Sequence, residues 1–465
     1  MNRKNRASLG YGIGYIGQGA SYGFISVYFV IYLTNCVGIS AFYASLIMSL
    51  SLIVEVAAGM LWGNLSDRCR LKMGRRRPFI LLAAVTMPVV MYLLFYKKEG
   101  AFTGVLLYYL LLSVLFRVFF SCFEIPNGAF GAEITTDYDG RTRLRTISRV
   151  GAIVGNFAAY VMPLWILDFF AEEQAKGWHT IGTLIGVICF VSWFSSFLLV
   201  TEKPQHSTET KIRNVLSSIW KNYTRLLKLK PTRILVFYKA AFATAFALYN
   251  VSSMYYMKYS LRLSNQYTSY IYFFSIVVFV LATPLVDFTA IRMGKARQQM
   301  YTMLFAGIIA ALLFAFCRGS FAGGVIYVLV FSLVQTSFWQ LSLSIFYDLV
   351  EVEEFVYGSR SEGDIMSMVS VLGTIVTAAI VQIFGFFFEA AGFNPAAAEQ
   401  SGSTVLFLNA SFMLIPGICF ILGAIALRAF PINKETFASL TAAVKLKQEG
   451  KEYEKYIDDI HRIMG

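Results

Sequence analysis

Five ionisable side chains lie inside long apolar stretches of this sequence, where a charge is costly and usually has a function. They are Glu55, Arg117, Glu124, Arg149 and Lys239. Arg117 and Glu124 are seven residues apart, which places them two turns apart on one face of a helix. A carboxyl group balanced between burial and a nearby arginine can take up and release a proton, and arginine can bind a solute. These residues predict ion-coupled solute binding within a membrane.

A structural role is the alternative interpretation of the same side chains. Glu55, Arg117 and Glu124 could form a buried ion pair that locks the second predicted helix to the fourth. Lys239 is near the end of its apolar stretch, where a lysine can reach the membrane surface. In the functional interpretation Glu55 takes up a proton or cation, while Arg117, Glu124 or Arg149 contacts the substrate.

A polar aromatic stripe follows the first apolar stretch. Tyr11, Tyr15, Gln18 and Tyr22 occur at positions i, i+4, i+7 and i+11, which is one face of a helix. Aromatic rings with hydroxyl and amide groups suit a polyol, through stacking and hydrogen bonds at its edge. Packing between helices explains the stripe equally well. Trp339 is a further candidate from a later helix.

Twelve apolar runs have the length of about 20 residues that a membrane-spanning helix needs. The sequence is 57% hydrophobic and only 14% charged, against about 25% charged residues in soluble domains. The runs lie near 9–34, 41–64, 78–96, 103–127, 144–168, 178–200, 234–257, 267–290, 298–317, 322–347, 365–389 and 404–428. We therefore predict an all-α integral membrane protein with twelve transmembrane helices in a lipid bilayer.

Lysine and arginine are concentrated in alternate connections between these runs. Positive residues favour the cytoplasmic side of a membrane, so we predict that both termini are cytoplasmic. This asymmetry explains most of the net charge of +13, and nucleic acid is not an expected partner.

An internal repeat relates the two halves of the chain. Asp67 and Gly74 recur 220 residues later as Asp287 and Gly294, each time within a basic loop. A second repeat pairs the acid-to-glycine spacing after Glu133 with that after Glu351. Two six-helix halves in parallel are the plan of the major facilitator fold. Residues that could latch neighbouring helices, or only signal topology, are Asp67, Arg75, Asp287, Arg297, Glu133, Arg141, Glu351 and Arg360.

We predict four segments from this pattern. Residues 1–200 form an N-terminal six-helix bundle, and 234–430 form a C-terminal one. The linker 201–233 contains an amphipathic pattern typical of a helix on the membrane surface. Residues 431–465 form a cytoplasmic tail.

Enzymatic and metal chemistry are not predicted. The six cysteines are far apart without a CxxC pair, and the three histidines lie outside the middle of the apolar runs. A membrane enzyme would need a clustered nucleophile or acid–base set in one loop, and none is found. We expect no catalytic residues, no metal and no cofactor.

The chain resembles the glycoside–pentoside–hexuronide:cation symporters, the family of the melibiose carrier. The motifs are Tyr11-Gly12-Ile13-Gly14, Tyr32-Leu33-Thr34, Gly74-Arg75-Arg76-Arg77-Pro78-Phe79 and Arg360-Ser361-Glu362-Gly363. The resemblance implies that Glu55 is a cation-site carboxylate, that Glu124 and Arg149 lie near the sugar, and that Trp339 is an aromatic of the tenth helix. It also implies a substrate site between the halves near mid-membrane.

Several positions depart from the family pattern. Gly19 stands where the melibiose carrier has a sugar-binding Asp, with Gln18 in place of a neighbouring Lys. Ala58 and Gly59 replace an Asn and a second cation-site Asp, and Gly128 replaces a stacking Trp. Sodium prefers several hard oxygen ligands. Glu55 and Ser121 are the side chains that remain for a cation site, and they are too few to suit sodium well.

We therefore expect a secondary active transporter that imports a sugar or glycoside with a proton as the coupling ion. Gln18, Tyr22, Arg117, Glu124, Arg149, Trp339 and Lys239 are the expected substrate-binding residues. The surplus of one positive charge in the apolar stretches indicates an anionic solute, such as a hexuronide. The alternatives are uncoupled facilitation, or a carrier of an amphiphile such as a lysolipid. We expect the protein to function as a monomer.

Overall fold

The structure is a computed structural model, and it describes residues 3–71, 73–134, 138–200, 222–358, 360–397, 399–449 and 451–464. The described residues contain helices and no strand. Twelve helices are long and apolar enough to cross a membrane, and we number them α1 to α12. They are Arg6–Val37, Ala41–Arg68, Arg77–Leu94, Phe102–Gly131, Leu144–Phe169, Gln174–Leu199, Lys230–Ser260, Asn265–Met293, Lys295–Cys317, Phe321–Tyr357, Glu362–Ala390 and Gly402–Arg428. The prediction of an all-α protein with twelve spans is confirmed.

The first helix of each half ends in the same irregular way. The α-helix Arg3–Tyr32 continues as a π-helical turn over Leu33–Val37, and the α-helix Lys230–Tyr255 continues as one over Tyr256–Ser260. A π-helical turn inserts an extra residue into the helix and often marks a functional position. The internal repeat is therefore visible in the backbone as well as in the loop motifs.

The repeated loops depend on glycine. Gly74 has φ 110° and Gly294 has φ 88°, a left-handed region in which a Cβ atom is strained. Each glycine reverses the chain between two spans, α2 to α3 and α8 to α9. This backbone requirement explains why glycine recurs at the same place in the two basic loops.

The helices group into two compact units. Unit 1 comprises Met1–Glu209, Asn250–Ile276 and Ala378–Leu408, and unit 2 comprises Thr210–Tyr249, Val277–Thr377 and Asn409–Gly465. Two segments of the second half thus cluster with the first six helices. The division into bundles at 1–200 and 234–430 stays a prediction. Of the linker 201–233, residues 201–221 lie outside the described residues.

One end of unit 1 is held by hydrogen bonds between α1 or α2 and helices from the second half. The Thr34 and Tyr255 hydroxyls are 2.6 Å apart, and Asn35 Nδ2 donates to the Tyr259 hydroxyl at 2.8 Å. We call these two bonds, together with two that join α2 to α11, the clasp.

The other two bonds of the clasp join α2 to α11. Ser49 Oγ donates to the Ala378 carbonyl at 2.7 Å, and the Phe42 backbone N–H donates to Glu389 Oε2 at 2.8 Å. All of these residues belong to unit 1. The clasp contributes to the grouping of Asn250–Ile276 and Ala378–Leu408 with the first six helices.

Two tail helices follow the last span in unit 2. They are α13, Lys434–Gln448, and α14, Ile457–Met464. Asn433 and Thr436 form a capping box at the start of α13, which supplies partners for its first backbone N–H groups. Lys447 Nζ donates to the Phe355 carbonyl at 2.6 Å, so the tail is bound to the end of α10.

Helices α1 and α5 approach so closely that a glycine is required between them. A Cβ atom at Gly151 would stand 2.1 Å from the Gly12 carbonyl oxygen. We expect Gly151→Ala to lower the free energy of unfolding by about 1–3 kcal/mol through overpacking. Thermal unfolding of the purified protein in nanodiscs measures this change.

Gly104→Ala is the matched control, because no described residue lies within 4 Å of its Cβ position in α4. Alanine is the better helix former, so this control should be neutral or slightly more stable than the wild type. Equal unfolding midpoints for the two variants would contradict the close approach.

Candidate functional site

A group of polar side chains lies between α1, α2 and α4 in unit 1. Arg117 Nη1 donates to Glu55 Oε2 at 2.9 Å, and Gln18 Nε2 donates to Glu124 Oε1 at 2.9 Å. Tyr22 lies within electrostatic range of both carboxylates and of Arg117. We call these five residues the buried charge cluster. The structure thus brings together five of the residues predicted for coupling and substrate binding.

Arg117 is the most enclosed member of the cluster. Its side chain is 1% exposed, and its guanidinium carbon lies 5.9 Å from the ring centre of Tyr22 and 5.5 Å from that of Phe116. Its Nε and Nη2 atoms have no hydrogen-bond partner among the described residues. The guanidinium is therefore held by one carboxylate and two aromatic rings.

Glu124 has a different environment from Glu55. Its hydrogen-bond donor is the neutral amide of Gln18, and within the described part of the chain no cation forms an ion pair with it. Arg149, half-buried on α5, also forms no ion pair there. The ion pair that joins α2 to α4 is therefore the one between Glu55 and Arg117. The Glu124 carboxylate has no paired cation among the described residues.

Ser121 lies one turn after Arg117 on α4. Its hydroxyl donates to the carbonyls of Arg117 and Val118, each at 3.0 Å. Ala58 and Gly59 on α2 carry no side-chain oxygen. No group of three or more His, Cys, Asp or Glu side chains suited to a metal occurs among the described residues. Of Ser121, Ala58 and Gly59, only Ser121 therefore carries a side-chain oxygen, and its hydroxyl donates to carbonyls of its own helix.

The side chains of the aromatic stripe on α1 form two kinds of contact. The hydroxyls of Tyr11 and Tyr15 are 3.0 Å apart, and their rings pack edge to face at 5.1 Å. A Cβ atom at Gly131 would stand 2.7 Å from the Tyr11 hydroxyl. The first part of the stripe therefore packs against itself and α4, whereas Gln18 and Tyr22 belong to the buried charge cluster.

Unit 2 contains the other two predicted substrate-binding residues. Lys239 on α7 and Trp339 on α10 lie beside each other, with Lys239 Nζ 5.8 Å from the indole ring. Phe242 and Phe338 stack in parallel at 3.4 Å next to them. Trp339 is 50% exposed, so one side of its indole is open.

The loops after α2 and α8 form different contacts. Asp67 binds Arg76 at 3.5 Å. In the second loop, Asp287 accepts a hydrogen bond from Gln340, while Arg297 is exposed. The predicted latching role of these residues stays a prediction.

The second pair of loops is described only in part. The side chains of Glu133 and Arg141 lie outside the described residues. Arg360 forms ion pairs with Glu351, Glu354 and Glu362, at 3.3, 3.2 and 2.9 Å. The hydrogen bond to Glu362 and the neighbouring carboxylates raise the pKa of the Arg360 guanidinium.

Two ion pairs near these loops were missed from the sequence. Lys295 binds Asp348 at 2.6 Å, and Arg225 binds the fully buried Glu353 at 2.7 Å. Lys295 is part of the repeated basic loop, so the loop motif could have indicated that this lysine forms an ion pair. Arg225 comes from the linker, and its sequence pattern indicated only a membrane-surface helix.

Twelve apolar spans with charged side chains buried among them are typical of a polytopic membrane transporter. The chain belongs to the MFS/sugar transport protein family, which matches residues 10–434. The resemblance to the glycoside–pentoside–hexuronide:cation symporters is confirmed. The chain is a sugar transporter of the major facilitator superfamily and not an enzyme, and it is an integral, multi-pass membrane protein.

The chain is similar to known carriers over nearly its whole length. It is 24% identical to the isoprimeverose transporter of Lactiplantibacillus pentosus, covering 89% of this chain and 86% of that protein. It is 21% identical to the glucuronide carrier protein homolog of Escherichia coli (strain K12), covering 98% of each. A solved bacterial homologue of the human drug peptide transporters PepT1 and PepT2 has a TM-score of 0.67 at 13% identity, covering 92% of this chain and 98% of that one. The last similarity shows the fold.

Proposed function

We propose that the protein imports a sugar or glycoside by symport with a proton, through alternating access. The observation that carries this proposal is the composition of the buried charge cluster. Glu55 and Glu124 are two carboxylates at membrane depth, and Arg117 is the guanidinium bound to one of them. With all three ionised, the cluster has one uncompensated negative charge, and a proton can compensate it.

Glu124 is the group that exchanges the proton in this proposal. The charge of Glu55 is compensated by Arg117 at 2.9 Å, whereas Glu124 is bound to the neutral amide of Gln18. A protonated Glu124 would leave the cluster neutral, and a deprotonated one would restore the negative charge. The prediction that Glu55, together with Ser121, is the coupling group can be tested by the same measurement of uptake driven by a proton gradient.

The clasp supports alternating access. It consists of four hydrogen bonds between helices of the first and second halves at one end of unit 1. We propose that this end faces outward, with both termini cytoplasmic, and that the clasp opens to admit substrate. The related isoprimeverose and glucuronide carriers support a glycoside as that substrate.

Uptake into proteoliposomes tests the proposal. We expect an inward proton gradient to drive accumulation of p-nitrophenyl β-D-glucoside or p-nitrophenyl β-D-glucuronide. Replacing sodium with choline should leave the rate unchanged, because Ser121, Ala58 and Gly59 supply few free oxygen ligands. The measurement is the initial rate and final level of internal glycoside.

Three outcomes would contradict parts of the proposal. A requirement for sodium would replace the proton as coupling ion. Equal internal and external concentrations under every gradient would show an uncoupled facilitator. Absence of uptake of both glycosides would remove the glycoside as substrate, and transport of a lysolipid would then be measured in the same vesicles.

A further inference from the structure

Lys239 carries a charge that the described protein does not pair. Its ammonium lies between two aromatic rings of α10, with Nζ 4.9 Å from the ring centre of Phe338 and 5.8 Å from that of Trp339. The side chain is half-buried, and within the described residues no hydrogen bond or ion pair reaches its ammonium. Aromatic faces stabilise a cation only partly, so the ammonium retains capacity for an anion.

The position of Lys239 is built into the packing of unit 2. A Cβ atom at Gly373 on α11 would stand 2.8 Å from Lys239 Cε, so the glycine provides the space for the lysine stem. Trp339 lies within the apolar run 322–347 of α10. The lysine side chain therefore packs against the apolar part of α10 and against α11.

We propose that Lys239 binds the acidic group of the substrate, and that the substrate is a glycoside with one carboxylate or sulfonate. This inference rests on the proposed function. An ammonium at membrane depth needs a counter-ion or water, and a monoanionic solute supplies the counter-ion on binding. The open side of the Trp339 indole offers an apolar surface to the CH face of the same sugar ring. The related glucuronide carrier is consistent with an acidic sugar.

Two glycosides that differ only at C6 test this inference. Isothermal titration of the purified protein in nanodiscs measures the affinity for p-nitrophenyl β-D-glucuronide and for p-nitrophenyl β-D-glucoside. We expect the acid to bind at least about tenfold more tightly, since a charge-assisted hydrogen bond is stronger than a neutral one. The 6-sulfonate analogue forms a third arm, and the tighter of the two acids identifies the anionic group.

Substitutions assign the preference to the lysine. In Lys239→Gln the affinity for the acid should fall to that for the glucoside, while glucoside binding remains and shows that the protein is folded. Lys239→Arg should keep most of the preference. Lys258→Gln is the matched control, because Lys258 is an exposed lysine on the same helix with its Nζ 5.2 Å from the Tyr259 ring.

The outcomes separate this inference from the proposed function. Equal wild-type affinities for the neutral and acidic glycosides would overturn the role of Lys239 and leave glycoside transport intact. A preference that survives Lys239→Gln, or that is lost in Lys258→Gln to the same extent, would also overturn it. Absence of binding by all three glycosides would overturn both proposals.

Discussion

Replacing Arg117 with glutamine is expected to lower the free energy of unfolding by about 3–5 kcal/mol. The substitution leaves the Glu55 carboxylate largely buried without its cation, and removal of one partner of a buried pair is costly for this reason. The Arg117 side chain is 1% exposed and that of Glu55 is 14% exposed, so water offers little compensation. Thermal unfolding in nanodiscs should show a midpoint lower by several degrees.

The double variant Glu55→Gln/Arg117→Gln separates charge from packing. It removes both charges, so we expect it to recover most of the stability lost in Arg117→Gln. The control is Glu399→Gln, which breaks an exposed ion pair with Arg262 and should cost less than about 1 kcal/mol. A double variant no more stable than Arg117→Gln would show that guanidinium packing against Tyr22 and Phe116, rather than its charge, stabilises the helices.

Replacing Glu124 with glutamine is expected to abolish accumulation driven by a proton gradient. A gradient of one pH unit is worth about 1.4 kcal/mol, so a carrier that couples one proton to one solute accumulates that solute about tenfold. Glutamine can still bond to Gln18 but cannot exchange a proton. We expect the accumulation ratio to fall to one with the membrane potential clamped at zero, while exchange of internal for external glycoside continues.

Glu55→Gln in the same vesicles decides between the two carboxylates. We expect it to weaken the protein, because Arg117 loses its ion pair, but to retain accumulation above one. Loss of accumulation in Glu55→Gln with retention in Glu124→Gln would assign the proton to Glu55. Retention in both variants would remove the buried charge cluster from coupling.

Most of the fold follows from hydropathy, because lipid leaves the helix as the principal way to satisfy backbone polar groups. The predicted run 41–64 became Ala41–Arg68, and 144–168 became Leu144–Phe169. The largest difference is at α10, predicted for 322–347, which continues to Tyr357. A helix predicted from hydropathy ends where the apolar residues end. The observed helix continues through Asp348 and Glu353, whose charges are stabilised by ion pairs.

The choice of partners was less accessible from the sequence. Spacing placed Arg117 and Glu124 on one face of α4, and a pair with Glu55 was one of two interpretations. That Glu124 would bind Gln18 depends on how α1 crosses α4, which no local pattern encodes. The pairing of Asp67 with Arg76 likewise depends on the turn at Gly74, whose backbone conformation no helix-face pattern encodes.

The clasp has a consequence for the medium in which the carrier works. In each of its four bonds at least one partner is neutral: Thr34 with Tyr255, Asn35 with Tyr259, Ser49 with a carbonyl and a backbone N–H with Glu389. At 0.1 M salt, dissolved ions largely screen exposed charges that are more than about 10 Å apart, but they have little effect on a short hydrogen bond in which one partner is neutral. We therefore expect the salt concentration to have little effect on the opening and closing of unit 1 at the clasp.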